Sequence, residues 1–227
     1  MSNNIWNQLS LLGACTACFL LFAAGKAHAQ SLQHEIEAED KPLSTISSVL
    51  DKAHRVAVME YSGRCVKSSS IIASPVPLNK TPVQSEDVVV VLKHLFPDKR
   101  FGVESDANGT ITITQFGMPQ DFLDTRIRRI ELTREQQYDP TRAVEAVFAT
   151  SEVRDFMKRN KMSPANSWGG LVSMPDQNLP HLNQTIENTT VLDAIKAILS
   201  TFSQSAHLAV YRECSADGHR IVSIDFW

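Results

Sequence analysis

The chain has 227 residues, with 22 basic and 25 acidic side chains, seven histidines, four cysteines and only nine glycines. A net charge of −3 gives no electrostatic ground for binding nucleic acid or an anionic membrane surface. So few glycines argue against a glycine-rich phosphate loop or a fibrous repeat.

The N-terminus reads as an export signal. An apolar stretch from Leu9 to Ala24 is interrupted only by Ser10, Gly13 and Thr16. That length suits a secretory h-region and is short of the about 20 apolar residues of a spanning helix. Ala27-His28-Ala29 supplies the small-x-small pattern of a cleavage site, placing cleavage before Gln30. The n-region, Met1 to Asn7, has no Lys or Arg. Two other fates stay open: retention as an uncleaved anchor, or lipidation through Leu12-Gly13-Ala14-Cys15. Membrane contact is expected only in those two cases. A cleaved chain would be periplasmic or secreted. It would keep 198 residues, having lost one basic residue, Lys26, for a net charge near −4.

Cleavage also leaves two cysteines, Cys65 and Cys214. An even count in an exported chain favours a disulfide between them, with two free thiols as the alternative.

Gln30 to Lys41 is a polar, acidic lead-in. Pro42 suits the first position of a helix that carries Leu43, Ile46, Val49, Leu50 and Ala53 at helical spacing. Arg55 to Tyr61 alternates as a strand, a short strand follows at Ser70 to Ala73, and the prolines from Pro75 to Pro82 mark a loop. Ser85 reads as the N-cap of a second helix, with Val88, Leu92, Leu95 and Phe96 in its apolar stripe and Pro97 as its stop. Phe101 to Ser105 and Thr110 to Gln115 form a hairpin around Asn108-Gly109.

After Pro119, Thr125 to Leu132 reads as a strand, Asp139-Pro140 as a helix start, and Ser151 as the start of another. Ser163 to Pro180 is loop-like. Thr190 and Asp193 form a capping-box-like pair ahead of a helix bearing Val191, Ile195, Ile198, Leu199 and Phe202. His207 to Glu213 and His219 to Asp225 close the chain as a hairpin. The order of amphipathic helix then hairpin occurs twice. The reading is an α+β fold of two small units, 30–118 and 119–227, each with helices on one face of a short mixed or antiparallel sheet.

The first unit resembles the short N-terminal domain of secretins and TonB-dependent transducers, the STN or N0-like fold. The resemblance rests on Glu37 to Leu43 before the first helix, Val49-Leu50, strand Val56 to Tyr61, Ser85-Glu86-Asp87-Val88, and Phe101 to Val103 with Gly109 to Ile113. It spans residues 35–115, with a more degraded second copy near 182–226. The chain departs from that family in its proline-rich stretch between Ile72 and Ser85, in lacking the glycine usual before the second strand, and in having no barrel-forming segment. The resemblance implies a small envelope domain that docks on other proteins, without catalytic residues.

No catalytic constellation is legible. The histidines do not pair at metal-ligand spacing, and Gly-x-Ser-x-Gly is missing. No cofactor or metal is expected. The candidate partner-binding residues are Arg126, Arg128 and Arg129 on one strand, suited to an acidic partner, and Trp168 in a Gly- and Pro-containing loop, suited to anchoring one. The expected function is protein–protein docking with an envelope partner. A small-ligand-binding protein or an exported hydrolase with a dispersed site remain the alternatives.

Overall fold

The computed structural model describes residues 41–67, 70–73, 78–79, 85, 87–96, 100–165 and 179–227. The expected signal, the proline-rich loop at 74–77 and 80–84, and Trp168 lie outside the described residues.

Helix α1 covers 41–52, and its Leu43, Ile46 and Leu50 are fully buried. Strand β1 (Ala57–Lys67) is longer than its alternation indicated, because its second half pairs antiparallel with β2 (Ser70–Ala73). Helix α2 (Val88–Leu95) starts later than Ser85 allows. Its N-cap is Asp87, whose Oδ1 accepts from Val89 N at 2.8 Å, while Ser85 Oγ accepts from Asp87 N. A cap must adjoin the first helical residue to reach the free amides, and Ser85 sits too far upstream.

The hairpin β3 (Phe101–Ser105) and β4 (Ile111–Gln115) is present. Gly109 holds a positive φ of 85° in its turn, and Asp106 Oδ1 accepts from the amides of Asn108 and Thr110. Strand β5 (Arg126–Glu131) is followed by α3 (Arg134–Gln137), α4 (Pro140–Ala149) and α5 (Ser151–Arg159). Asp139 caps α4 by accepting from Thr141 N and Arg142 N. Strands β6 (Met162–Pro164) and β7 (Thr185–Thr190) lead to α6 (Val191–Thr201). Thr190 Oγ1 caps α6 by accepting from Asp193 N. The closing hairpin is β8 (Leu208–Ala216) and β9 (His219–Phe226).

The α+β expectation is met, but the strands assemble differently from two separate sheets. One large mixed sheet has the order β3-β4-β1-β8-β9-β6, with β2 on the second half of β1. Strand β1 lies parallel to both β4 and β8, with Ala57 to Ser62 opposite Leu208 to Glu213. The expected boundary near residue 119 therefore falls inside a continuous sheet. Parallel central strands call for cover on both faces, and β1 shows it: Ala57, Val58, Met59 and Glu60 are each at most 1% exposed.

Two cores result, one on each face. Helices α1 and α2 pack over Ala57, Met59, Tyr61, Ile111, Leu208 and Val210. On the opposite face, α4, α5 and α6 enclose Val58, Ala209, Tyr211, Val222 and Ile224, together with the Phe122 loop. A separate two-stranded sheet, β5 against β7, flanks that second layer. No helix among the described residues is long and apolar enough to cross a membrane.

Candidate functional site

The three arginines singled out on β5 are all exposed, but they do not form one free cationic surface. Arg128 Nε pairs with Glu152 Oε1 at 3.0 Å, and that hydrogen bond is the main reason the Glu152 carboxyl is held down to about 2. Arg129 pairs with Glu131 at 3.0 Å and lies 3.7 Å from Glu187. Only Arg126 forms no ion pair among the described residues. Alternation along the strand is broken opposite Asn188, which has φ 51° and is skipped in the register, so Arg128 and Arg129 are exposed side by side. An open cavity of about 460 Å³ lies beside Arg126, Arg128 and Thr190, and Asp193 puts a negative charge in it.

Cys65 and Cys214 form a disulfide with their Cα atoms 5.4 Å apart and a sequence separation of 149. It joins β1 to β8, so it ties the two halves of the chain together within the shared sheet.

A polar row crosses the β1–β8 face inside the second core. Glu60 stands between Thr114 on β4 and Tyr211 on β8 in the strand register. Its Oε2 accepts from Thr114 Oγ1 at 3.2 Å and from Gln120 Nε2 at 3.0 Å, while its Oε1 is buried without a hydrogen-bond partner. Burial pushes the Glu60 carboxyl up from its usual range. Two residues along β8 from Tyr211, Glu213 Oε2 accepts from the Tyr211 hydroxyl at 2.9 Å and from Arg220 Nη2 at 2.9 Å. Arg220 also forks onto both oxygens of Asp121 at 2.8 Å. The phenol is raised, chiefly by burial and then by the Glu213 charge. Phe122 stacks on Tyr211 with centroids 5.8 Å apart. This network clamps the 118–125 loop onto the sheet. Glu60 is too enclosed to meet a substrate, so the network acts as a structural clasp.

The accessible feature is on the outer edge of β9. Strand β6 is only three residues long and covers β9 from Arg220 to Val222. Arg220 N donates to Lys161 O and Ala165 N donates to Val222 O, so even-numbered residues of β9 aim their backbone groups outward. Trp227 N donates inward to Leu208 O, so odd-numbered residues face β8. Ile224 and Phe226 thus present their N–H and C=O groups on an edge that has no described strand partner. Helix α4 runs beside that edge. Thr141, Val144, Glu145 and Phe148, one i, i+3, i+4, i+7 face, line a cavity of about 460 Å³ together with Pro164 and Ile224. Its walls are largely apolar. Glu145 at the rim is exposed and unpaired among the described residues.

Sequence reasoning did not find this groove. Its helical face looks like any amphipathic stripe, and the short β6 beside it carries no local strand signal. Among the described residues, no group of three or more His, Cys, Asp or Glu side chains is placed to hold a metal ion. Compared with family models, with curated proteins and with solved structures, the chain matches none.

Proposed function

We infer that the protein is an exported, non-enzymatic envelope protein that works by docking onto another protein, and that the groove between α4 and the β9 edge is where it docks. The observation that carries this reading is one cavity that brings together the α4 residues Val144 and Phe148, the β9 residue Ile224, and a Glu145 carboxylate with no ion pair among the described residues. The leader-like N-terminus and the Cys65–Cys214 disulfide support an oxidising compartment. The resemblance of residues 35–115 to the STN or N0-like domain supports an envelope docking role. The Arg126 to Arg129 strand is a weaker docking surface in this reading, since two of its three charges are already paired.

The test compares two tagged mature proteins in crosslinked envelope fractions: the wild type and the Thr141→Lys/Glu145→Lys double variant. Both positions are on the groove rim, so melting temperature should be nearly unchanged. A partner enriched by the wild type and lost with the variant is the expected result. The same proteins captured by both, or none by either, would overturn the reading.

A further inference from the structure

We propose that the cavity between β5, β7 and the start of α6 binds a small zwitterion of the amino-acid or dipeptide class, with its carboxylate on Arg126 and Arg128 and its ammonium on Asp193. The site shares no lining residue with the α4 groove, so it stands or falls independently of the docking reading.

The cavity sits at a break in a strand pair. Strands β5 and β7 pair from Arg126 opposite Thr190 to Glu131 opposite Thr185, and the pair Arg128 and Asn188 is skipped. Asn188 holds a left-handed φ of 51°, a costly conformation for a residue with a side chain and one that clusters at binding sites. The volume, about 460 Å³, is at the small end of ligand sites. The lining excludes an apolar ligand, because its only apolar residue is Ile127, which is 1% exposed. Its charges are of both signs and held apart. Arg126 lies opposite Thr190, whose Oγ1 donates to Asp193 Oδ2 at 2.9 Å. Arg126 and Asp193 nevertheless form no ion pair, and Arg126 has no hydrogen bond among the described residues. Arg128 meets Glu152 through Nε, and its two terminal nitrogens have no partner among the described residues. Arg128 with Glu152 is neutral, and Arg126 balances Asp193, so the cavity carries no net charge. A simple anion would meet Asp193, and a simple cation would meet Arg126. A zwitterion satisfies both, with guanidinium forks suited to its carboxylate.

The test titrates the isotope-labelled protein with alanine, dialanine, acetate and ethylammonium, following amide resonances by NMR. Alanine or dialanine should saturably shift the amides of Arg126, Asn188, Thr189 and Asp193, with a Kd on the order of a millimolar for so open a site. The tighter of the two gives the length of the ligand. Acetate and ethylammonium, each carrying one of the two charges, should bind about tenfold more weakly or worse. Arg126→Gln and Asp193→Asn should each weaken the zwitterion about tenfold, with melting temperatures close to wild type, since Asn keeps an acceptor for Thr190. Arg129→Gln, outside the cavity, should leave binding unchanged. No shift with either zwitterion, shifts indifferent to both Arg126→Gln and Asp193→Asn, or acetate binding as tightly as alanine and dialanine would overturn the proposal.

Discussion

Glu60 shows how one residue can be misjudged from its pattern and still be informative. Alternation puts it on the side of Val58, which in a half-exposed strand would be unremarkable; here both faces are covered and the carboxyl is 1% exposed. Its folded pKa lies above its ordinary value of 4.5 because burial disfavours the charge. The proton is therefore bound more tightly in the fold. The associated stability is fully present below the unfolded pKa and is lost as pH rises through the folded one. Glu60→Gln keeps an acceptor for Thr114 and Gln120 and removes that loss. The variant should melt higher than wild type at pH 7, by about 2–4 °C for each kcal/mol regained, and the two should converge at pH 4. An equal or lower melting temperature at pH 7 would contradict this account. Arg220 is the opposite case. Arg220→Met strands Glu213, whose side chain is 8% exposed, and releases Asp121. Loss of one partner from such a pair costs about 3–5 kcal/mol, readable by urea unfolding.

Among the elements, those with local signals were legible and those made by tertiary pairing were not. Helix α4 was announced by Asp139-Pro140, and the cap is present. Asp139→Ala should cost about 1–2 kcal/mol, because two amides lose their acceptor; a change within error in denaturant midpoint would remove the cap from the account. Helix α6 carried its own cap and stripe, and both hairpins carried turn residues. By contrast, β7 has the polar sequence Thr-Ile-Glu-Asn-Thr-Thr and is a strand only because β5 pairs with it. Strand β6 is three residues long and ends on a proline. Because β6 helps to wall the cavity beside α4, the candidate docking site was hidden along with it. The arginines were visible as a charge run, but their partners Glu152 and Glu187 come from other elements, and no local pattern shows that they are occupied.

The whole molecule is organised by the pairing of β1 with β8. That pairing turns two helix-and-hairpin halves into one sheet with a core on each face. Lys196 on α6 also reaches Asp106 in the β3–β4 turn at 3.2 Å, a second link between the halves. The Cys65–Cys214 bridge closes a loop that the chain-entropy model values at about 5 kcal/mol as an upper figure. The protein should unfold in a single calorimetric transition. The Cys65→Ala/Cys214→Ala variant should do the same with about 2–5 kcal/mol less stability. Two transitions in the wild type would mean that the halves fold independently.

The central claim is that partners enter between α4 and β9. The most direct measurement places a photo-crosslinking residue at Glu145 in one strain and at Lys52, on the α1 side of the sheet, in another. Both strains are irradiated intact. The account predicts one strong adduct, to an envelope protein, from position 145 and none from position 52. An adduct from position 52 with none from position 145 would contradict it.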